Sequence, residues 1–263
     1  MKPFIKWAGG KRWLLESEQL RLPQFDGRYF EPFLGGAAVF FHLTPARAVL
    51  SDVNPKLINA YRAVQSDWRL VEDELKRMQR LHSREFYYQE RDRERRRMHT
   101  KAAQFLYLNR TCWNGLYREN LSGRFNVPIG TKSQVIMPDD DFEHASKLLE
   151  NAELSICDFE ETLSRAGQDD LVFLDPPYTT AHNTNGFLKY NQKIFSWNDQ
   201  IRLRRCAEAA RSRGARIVLT NANHETIHDL YSDLGTPEIV SRMSVISGNS
   251  SGRVRTSEVL YIF

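Results

Sequence analysis

Four consecutive residues, Asp175-Pro176-Pro177-Tyr178, form the sharpest chemical pattern in the chain, because they directly follow the apolar run Leu171-Val172-Phe173-Leu174. Proline cannot continue a central strand, so the backbone must turn there. Pro176 and Pro177 fix their own φ angles and lack N–H groups, which makes a stiff bend whose carbonyls can accept hydrogen bonds. A carboxylate and a carbonyl held close together suit an NH2 group, which has two protons to donate. The Tyr178 ring beside them offers a stacking surface for a flat heterocycle. A conjugated amino nitrogen is a poor nucleophile, because its lone pair is delocalised into the ring. Two acceptors gripping its hydrogens favour a pyramidal nitrogen and disperse the positive charge that develops as it attacks.

Such a bend needs a sheet edge to stand on, and the flanking sequence supplies one. Short apolar runs at Tyr29–Pro32, Ala48–Asp52, Leu154–Cys157, Leu171–Leu174 and Arg216–Thr220 alternate with helical patterns. This alternation predicts a mostly parallel α/β sheet with a crevice at the carboxyl ends of its strands. Glu258–Phe263 closes the chain as a last, antiparallel strand. Gly35-Gly36 after the first strand lets backbone approach a ligand closely, and the following helix offers free N–H groups. Asp52 at the tip of the second strand suits ribose hydroxyls, and Asn54-Pro55 starts a helix with Asn54 as its cap. Residues 61–138 break the alternation. They open with charge-rich helical patterns and end in a β-ribbon pattern, Asn114–Arg118 and Arg124–Pro128, around a turn at Asn120–Gly123. We read 61–138 as an insertion, with 1–60 and 139–263 as the core. The run Glu90–Arg97 interleaves acids with arginines and predicts a solvated helix face, with Asp92 and Arg96 paired one turn apart.

The chain has 263 residues, 41% of them hydrophobic, which is enough for a full core. The N-terminus shows no secretory pattern and no apolar run is long enough to span a bilayer, so no membrane association is expected. Cys112, Cys157 and Cys206 lack metal-ligand spacing, as do His182, His224 and His228; we expect neither a metal nor a disulfide framework, in a reducing cytoplasm. A net charge of +4 permits a polyanionic partner without proving one.

Asp-Pro-Pro-Tyr after a strand resembles the catalytic motif of amino-methyltransferases acting on DNA, and the chain as a whole resembles the Dam-like family of adenine methylases. Lys6-Trp7-Ala8-Gly9-Gly10-Lys11 is similar to the family's opening motif and Glu31-Pro32-Phe33-Leu34-Gly35-Gly36-Ala37 to its cofactor loop. Asn114-Gly115-Leu116-Tyr117-Arg118 and Phe125-Asn126-Val127-Pro128 are similar to its target-recognition hairpin. The motifs run in family order over nearly the whole chain. Ala37 and Cys157 stand where the family usually has glycine.

The resemblance implies a Rossmann-like methyltransferase sheet with an inserted target-recognition domain. It implies transfer of methyl from S-adenosylmethionine to the N6 amino group of an adenine flipped out of duplex DNA, with GATC as the leading target. Asp175, Pro176, Pro177 and Tyr178 would be catalytic. Trp7, Ala8, Gly9 and Lys11 would cover the methionine end of the cofactor, and Pro32, Phe33, Gly35 and Asp52 would line its loop. Asp158 and Phe159 would hold its adenine, with Asp175 beside it. Taken alone, Asp158 reads equally as a helix cap and Trp7 as a core tryptophan. On the DNA side, a β-ribbon fits the major groove and arginine can pair bidentately with guanine. Arg118 would be that reader, with Leu116 packed beside it and Lys6 adding a base contact. Asn114, Asn126 and Pro128 share the hairpin, and Arg124 would contact phosphate. Phe187 and Tyr190 either line the pocket of the extruded base or form a lid. Glu119 sets a negative charge beside Arg118. Double-stranded DNA is the one partner implied; no obligate protein partner is. Within enzymes, the alternative is an amino-methyltransferase acting on RNA or cytosine; outside them, a DNA-binding relative that has lost catalysis.

Overall fold

A computed structural model describes residues 1–115, 117–120, 123–180, 195–243 and 255–263. The predicted positions of Leu116, Phe187, Tyr190 and His182 lie outside these residues. The chain forms two compact units. One comprises Met1–Arg12, Leu34–Ala46 and Leu50–Ile156, and the other Trp13–Phe33, Arg47–Val49 and Cys157–Phe263. Residues 61–138 fall within the first.

In chain order the elements are α1 (Arg12–Glu16), β1 (Tyr29–Glu31), α2 (Ala38–Leu43), β2 (Ala48–Asp52), α3 (Pro55–Leu81), α4 (Arg84–Asp92), α5 (Met98–Thr111), a 3-10 turn (Trp113–Gly115) and α6 (Phe142–Leu149). They continue with β3 (Ala152–Ile156), α7 (Phe159–Ser164), β4 (Leu171–Leu174), α8 (Trp197–Ser212), β5 (Arg216–Ala222), α9 (Glu225–Tyr231), β6 (Glu238–Met243) and β7 (Arg255–Ile262). Among the described residues seven strands form one mixed sheet in the order β3-β2-β1-β4-β5-β7-β6. β1, β4 and β5 run parallel, with Phe30 beside Val172 and Leu174 beside Leu219. Their carboxyl ends therefore share one edge. β7 is antiparallel to both β5 and β6. The expected α/β sheet with an antiparallel last strand is present. β6 is an addition that the sequence reading passed over. It follows Pro237 and exposes Ile239, so it lacks the continuous apolar run that marked the other strands.

In the second unit, Phe30, Val172, Leu174, Ile217, Leu219 and Val259 of the sheet pack with Leu163, Leu203, Ala207 and Ile227 of the helices. Local chemistry sets the helix starts. Asn54 Oδ1 accepts from the N–H groups of Lys56 and Leu57 with Pro55 at the first position of α3. Ser196 and Asp199 cap α8 reciprocally.

One expectation is corrected. The Glu90–Arg97 run is not one helix face: α4 ends at Asp92, and the chain stays non-helical until α5. Glu90 is fully buried and draws Arg95 inward, where Nε and a terminal nitrogen bond its carboxylate at 2.7 and 2.6 Å. A buried carboxylate must be paired, and that demand overrides the helical pairing of Asp92 with Arg96. The expected ribbon is described in part, because Leu116, Leu121 and Ser122 lie outside the described residues. Its described residues pair as isolated antiparallel bridges, Glu119 with Phe125 and Cys112 with Ile129. Pro128 cannot donate to a ladder, and its carbonyl is taken by the Trp113 N–H at 2.9 Å.

Candidate active site and nucleic-acid interface

In the second unit, Asp175 stands directly after β4 at the shared carboxyl edge, its side chain half-buried. The Thr220 hydroxyl donates to Asp175 Oδ1 at 2.8 Å. Pro176 is buried, and Tyr178 is half-buried with its hydroxyl donating to Glu258 Oε2 at 2.6 Å. Burial pushes the Tyr178 phenol far above its ordinary pKa, reinforced by the nearby carboxylates of Asp175 and Glu258, so it remains a neutral donor.

On the same unit, Asp158 caps α7 by accepting from the Glu160 N–H at 2.9 Å. The Arg202 guanidinium grips both its oxygens, at 2.6 and 3.0 Å. Burial works to raise the Asp158 pKa, but Arg202 and the Glu160 N–H together outweigh it and hold the carboxyl below its usual range. Phe159 is buried and stacked on Phe33 at 5.4 Å, with Arg202 over its ring at 4.1 Å. Pro32 is buried and Phe33 half-exposed beside them.

In the first unit, Gly35 takes φ 45°, and a Cβ there would meet Trp7 Cδ1 at 2.7 Å. Only glycine fits beneath the indole. The Gly35 N–H donates to Asp52 Oδ2 at 3.2 Å and its carbonyl accepts from the Tyr61 hydroxyl at 2.9 Å. Burial raises the Asp52 pKa, against backbone N–H bonds from Asn54, Gly35 and Val53. Ala37 sits in the left-handed region at φ 55°, which explains why glycine is the easier residue there. Lys11 is buried with its ammonium on the Gly9 carbonyl at 2.9 Å, while Ala8 and Gly9 are exposed.

The hairpin of this unit is two-faced. Phe125 and Val127 are buried, and Tyr117 packs against Phe105 and Phe125 with ring centroids 4.5 and 4.9 Å away. Arg118, Arg124, Asn126 and Pro128 point outward, and Arg118 Nε donates to Asn126 Oδ1 at 3.2 Å. Tyr117 also stacks on Trp7, its centroid 6.3 Å away. Glu119 is not an open charge beside Arg118: its Oε1 accepts from Lys56 Nζ at 2.7 Å and from the Tyr117 hydroxyl at 2.8 Å. Lys6 is exposed, and its ammonium donates to the Asn114 carbonyl at 2.8 Å. Partial desolvation of the ammonium against Asn114 and the neighbouring Lys132 charge lower its pKa. Asn114 holds φ 55°, and beside it Trp113 is 53% exposed, a large ring turned to solvent.

The sequence reading missed Thr220, Glu258, Asn109 and Trp113. Asn109 bonds the Lys6 backbone from within α5, and its one sequence signal is the polar trio Asn109-Arg110-Thr111 directly after the apolar run Phe105–Leu108. Among the described residues no group of three or more His, Cys, Asp or Glu is arranged to hold a metal ion, and no helix is long and apolar enough to cross a membrane.

The chain is similar to enzymes that modify DNA. The Type II methyltransferase M1.LlaDCHI of Lactococcus lactis subsp. cremoris is 36% identical over 264 residues, covering 97% of this chain and 93% of that protein. The Type II methyltransferase M.MjaIII of Methanocaldococcus jannaschii is 35% identical over 268 residues, covering 93% of each. The DNA adenine methylase of Vibrio cholerae is 32% identical over 268 residues, covering all of this chain and 96% of that one. The profile of the D12 class N6 adenine-specific DNA methyltransferases matches residues 7–245, and the chain belongs to that family. It is a DNA adenine-N6 methyltransferase, and membership implies S-adenosylmethionine as the methyl donor.

Proposed function

We propose that the protein methylates N6 of an adenine extruded from duplex DNA, within GATC, using the Asp175–Tyr178 bend as its catalytic element. The observation that carries this reading is Asp175 at the carboxyl edge of the parallel strands, half-open and oriented by Thr220. Asp175 and the Pro176 carbonyl accept the two N6 protons, and Tyr178 stacks on the base. Removing an adenine from the stack costs a few kcal/mol, and one stacking contact returns only about 1–3 kcal/mol. The bonds from Asp175 and the filling of the vacated space supply the remainder. The exposed Trp113 ring, beside Asn114, is suited to that filling. The bound donor supplies a methyl already activated by its sulfonium, so the protein's contribution is positioning and electrostatics.

The residues present fit that donor. The absence of a Cβ at Gly35 lets the Trp7 indole pack directly on the backbone of the turn, and the Asp52 carboxylate beside it is an acceptor suited to hydroxyls. We assign Trp7, Ala8, Gly9 and Lys11 to the methionine end, Pro32, Phe33, Gly35 and Asp52 to the ribose side, and Asp158 with Phe159 to the adenine. The outward hairpin side chains Arg118, Asn126, Arg124 and Pro128, with Lys6 and Asn114, form the DNA-reading set, and residues 61–138 serve as the target-recognition region. Leu116 and Tyr190 keep their proposed roles from the family resemblance. A DNA substrate and cysteines that are free among the described residues fit a cytoplasmic enzyme. The test is to methylate unmodified genomic DNA with the purified protein and map the modified adenines. Modification confined to GATC supports the full reading. Adenine methylation in another sequence removes the GATC assignment.

A further inference from the structure

We propose that Glu258 and Thr220 are positioning residues for methyl transfer, clamping the two ends of the Asp175–Tyr178 bend from adjoining strands. The inference rests on the assignment of that bend as catalytic. Thr220 belongs to β5 and Glu258 to β7, and the antiparallel register pairs Thr220 with Leu260 and Ala222 with Glu258. Residues two apart on a strand share a face, so both anchors project from the same side of the sheet.

Each anchor has a main partner, and Thr220 also lies within hydrogen-bond reach of the Tyr178 hydroxyl. The Thr220 hydroxyl lies 2.8 Å from Asp175 Oδ1 and 3.3 Å from the Leu174 carbonyl. It has one proton, which serves the shorter bond to the charged acceptor. The Tyr178 hydroxyl reaches Glu258 Oε2 at 2.6 Å. Glu258 is 3% exposed and followed by the buried Val259 and Leu260. A carboxylate inside such a strand is costly unless it is bonded, and the phenol gives it a donor. The consequence for the bend is geometric. Thr220 fixes the carboxylate that grips the amino group, and Glu258 fixes the ring that stacks on the base. Tyr178 held at its far end cannot swing about its side-chain torsions, so the stacking surface is set before the base arrives. Misplacing a reacting group by an ångström can cost about a hundredfold in rate.

The experiment is a single-turnover methyl-transfer assay with saturating duplex and S-adenosylmethionine, accompanied by donor affinity and thermal melting. Glu258→Leu is expected to slow transfer about 10- to 100-fold, with donor affinity within about twofold of the unaltered protein. Tyr178→Phe falls in the same range. The double variant loses no more than the slower single one, because both act through one bond. Glu258→Gln retains an acceptor oxygen and recovers to within about threefold. Thr220→Val slows transfer while Thr220→Ser, which keeps the hydroxyl, does not. Should Glu258→Leu melt too low to assay, rescue by Glu258→Gln relative to Glu258→Ala decides the matter. Losses that multiply in the double variant, or a Gln variant no better than the truncation, would overturn the clamp. Asp175→Ala separates the two levels. An active Asp175→Ala removes the catalytic assignment itself, whereas an inactive one beside a fully active Glu258→Leu removes only the positioning role.

Discussion

The Asn109 amide grips the Lys6 backbone from both directions: the Lys6 N–H donates to Asn109 Oδ1 at 3.0 Å, and Asn109 Nδ2 donates to the Lys6 carbonyl at 2.7 Å. Asn109 is fully buried. Asn109→Ala deletes both bonds and leaves backbone groups to be resatisfied, at about 1–3 kcal/mol. It also frees the segment that holds Lys6 against Asn114. We expect a lower melting temperature and weaker duplex binding, with the binding loss persisting at temperatures where the variant is fully folded. Melting curves and fluorescence anisotropy on a short duplex check both.

Gly35→Ala tests the packing of Trp7 on this turn. The added methyl would meet the indole at 2.7 Å on a left-handed backbone, so Trp7 must move. The expected result is donor affinity reduced at least about tenfold, a change of about 1.4 kcal/mol, measured by calorimetry on the protein without DNA. Unchanged affinity would show that Trp7 and Gly35 do not bind the donor.

Arg118 and Arg124 share the outward face of the hairpin but should fail differently. Arg118→Ala is expected to cost about 1–3 kcal/mol of discrimination at one guanine. Arg124→Ala should weaken all duplexes alike and reduce the salt dependence of binding by about one phosphate contact. Competition binding over a panel of single-base variants at two salt concentrations separates them.

Asp158 gives a pH signature. Its carboxyl titrates below the unfolded value near 3.9 once the protein is folded. Folding therefore favours the ionised form, so the stabilisation is complete above that unfolded value and is lost as pH falls through the folded one. Its side chain is 43% exposed, so solvent and salt screen the pair and the effect is small. Asp199, also held low and also bonded to Arg202, shares the trend. Arg202→Met should flatten the acid limb of melting temperature against pH below about pH 4. Parallel curves for the two proteins would contradict the pairing.

The residues that announced themselves in the sequence did so through backbone constraint. Pro176-Pro177 after an apolar run marked the end of β4, and Gly35-Gly36 after β1 marked the tight turn, because proline and glycine restrict or enlarge backbone freedom in ways readable without a fold. What escaped reading depends on pairing across the chain. Glu258 looked like the polar start of a last strand, and only the β5–β7 register brings it to Tyr178, 80 residues away. Glu119 looked like a charge set beside Arg118, but Lys56 and Tyr117 take it up. The arginine run failed for the same reason, since the buried Glu90 carboxylate outweighs a local helical pattern. Local geometry was legible, and long-range charge pairing was not.

In the proposed mechanism Asp175 holds the amino group during transfer. The most direct measurement follows labelled methyl from S-adenosylmethionine to unmodified duplex by Asp175→Ala, with donor binding measured on the same sample. Methyl incorporation is expected to fall by at least about a thousandfold, on the scale of losing an essential transition-state contact, with donor binding still detectable. Incorporation near that of the unaltered protein would contradict that mechanism.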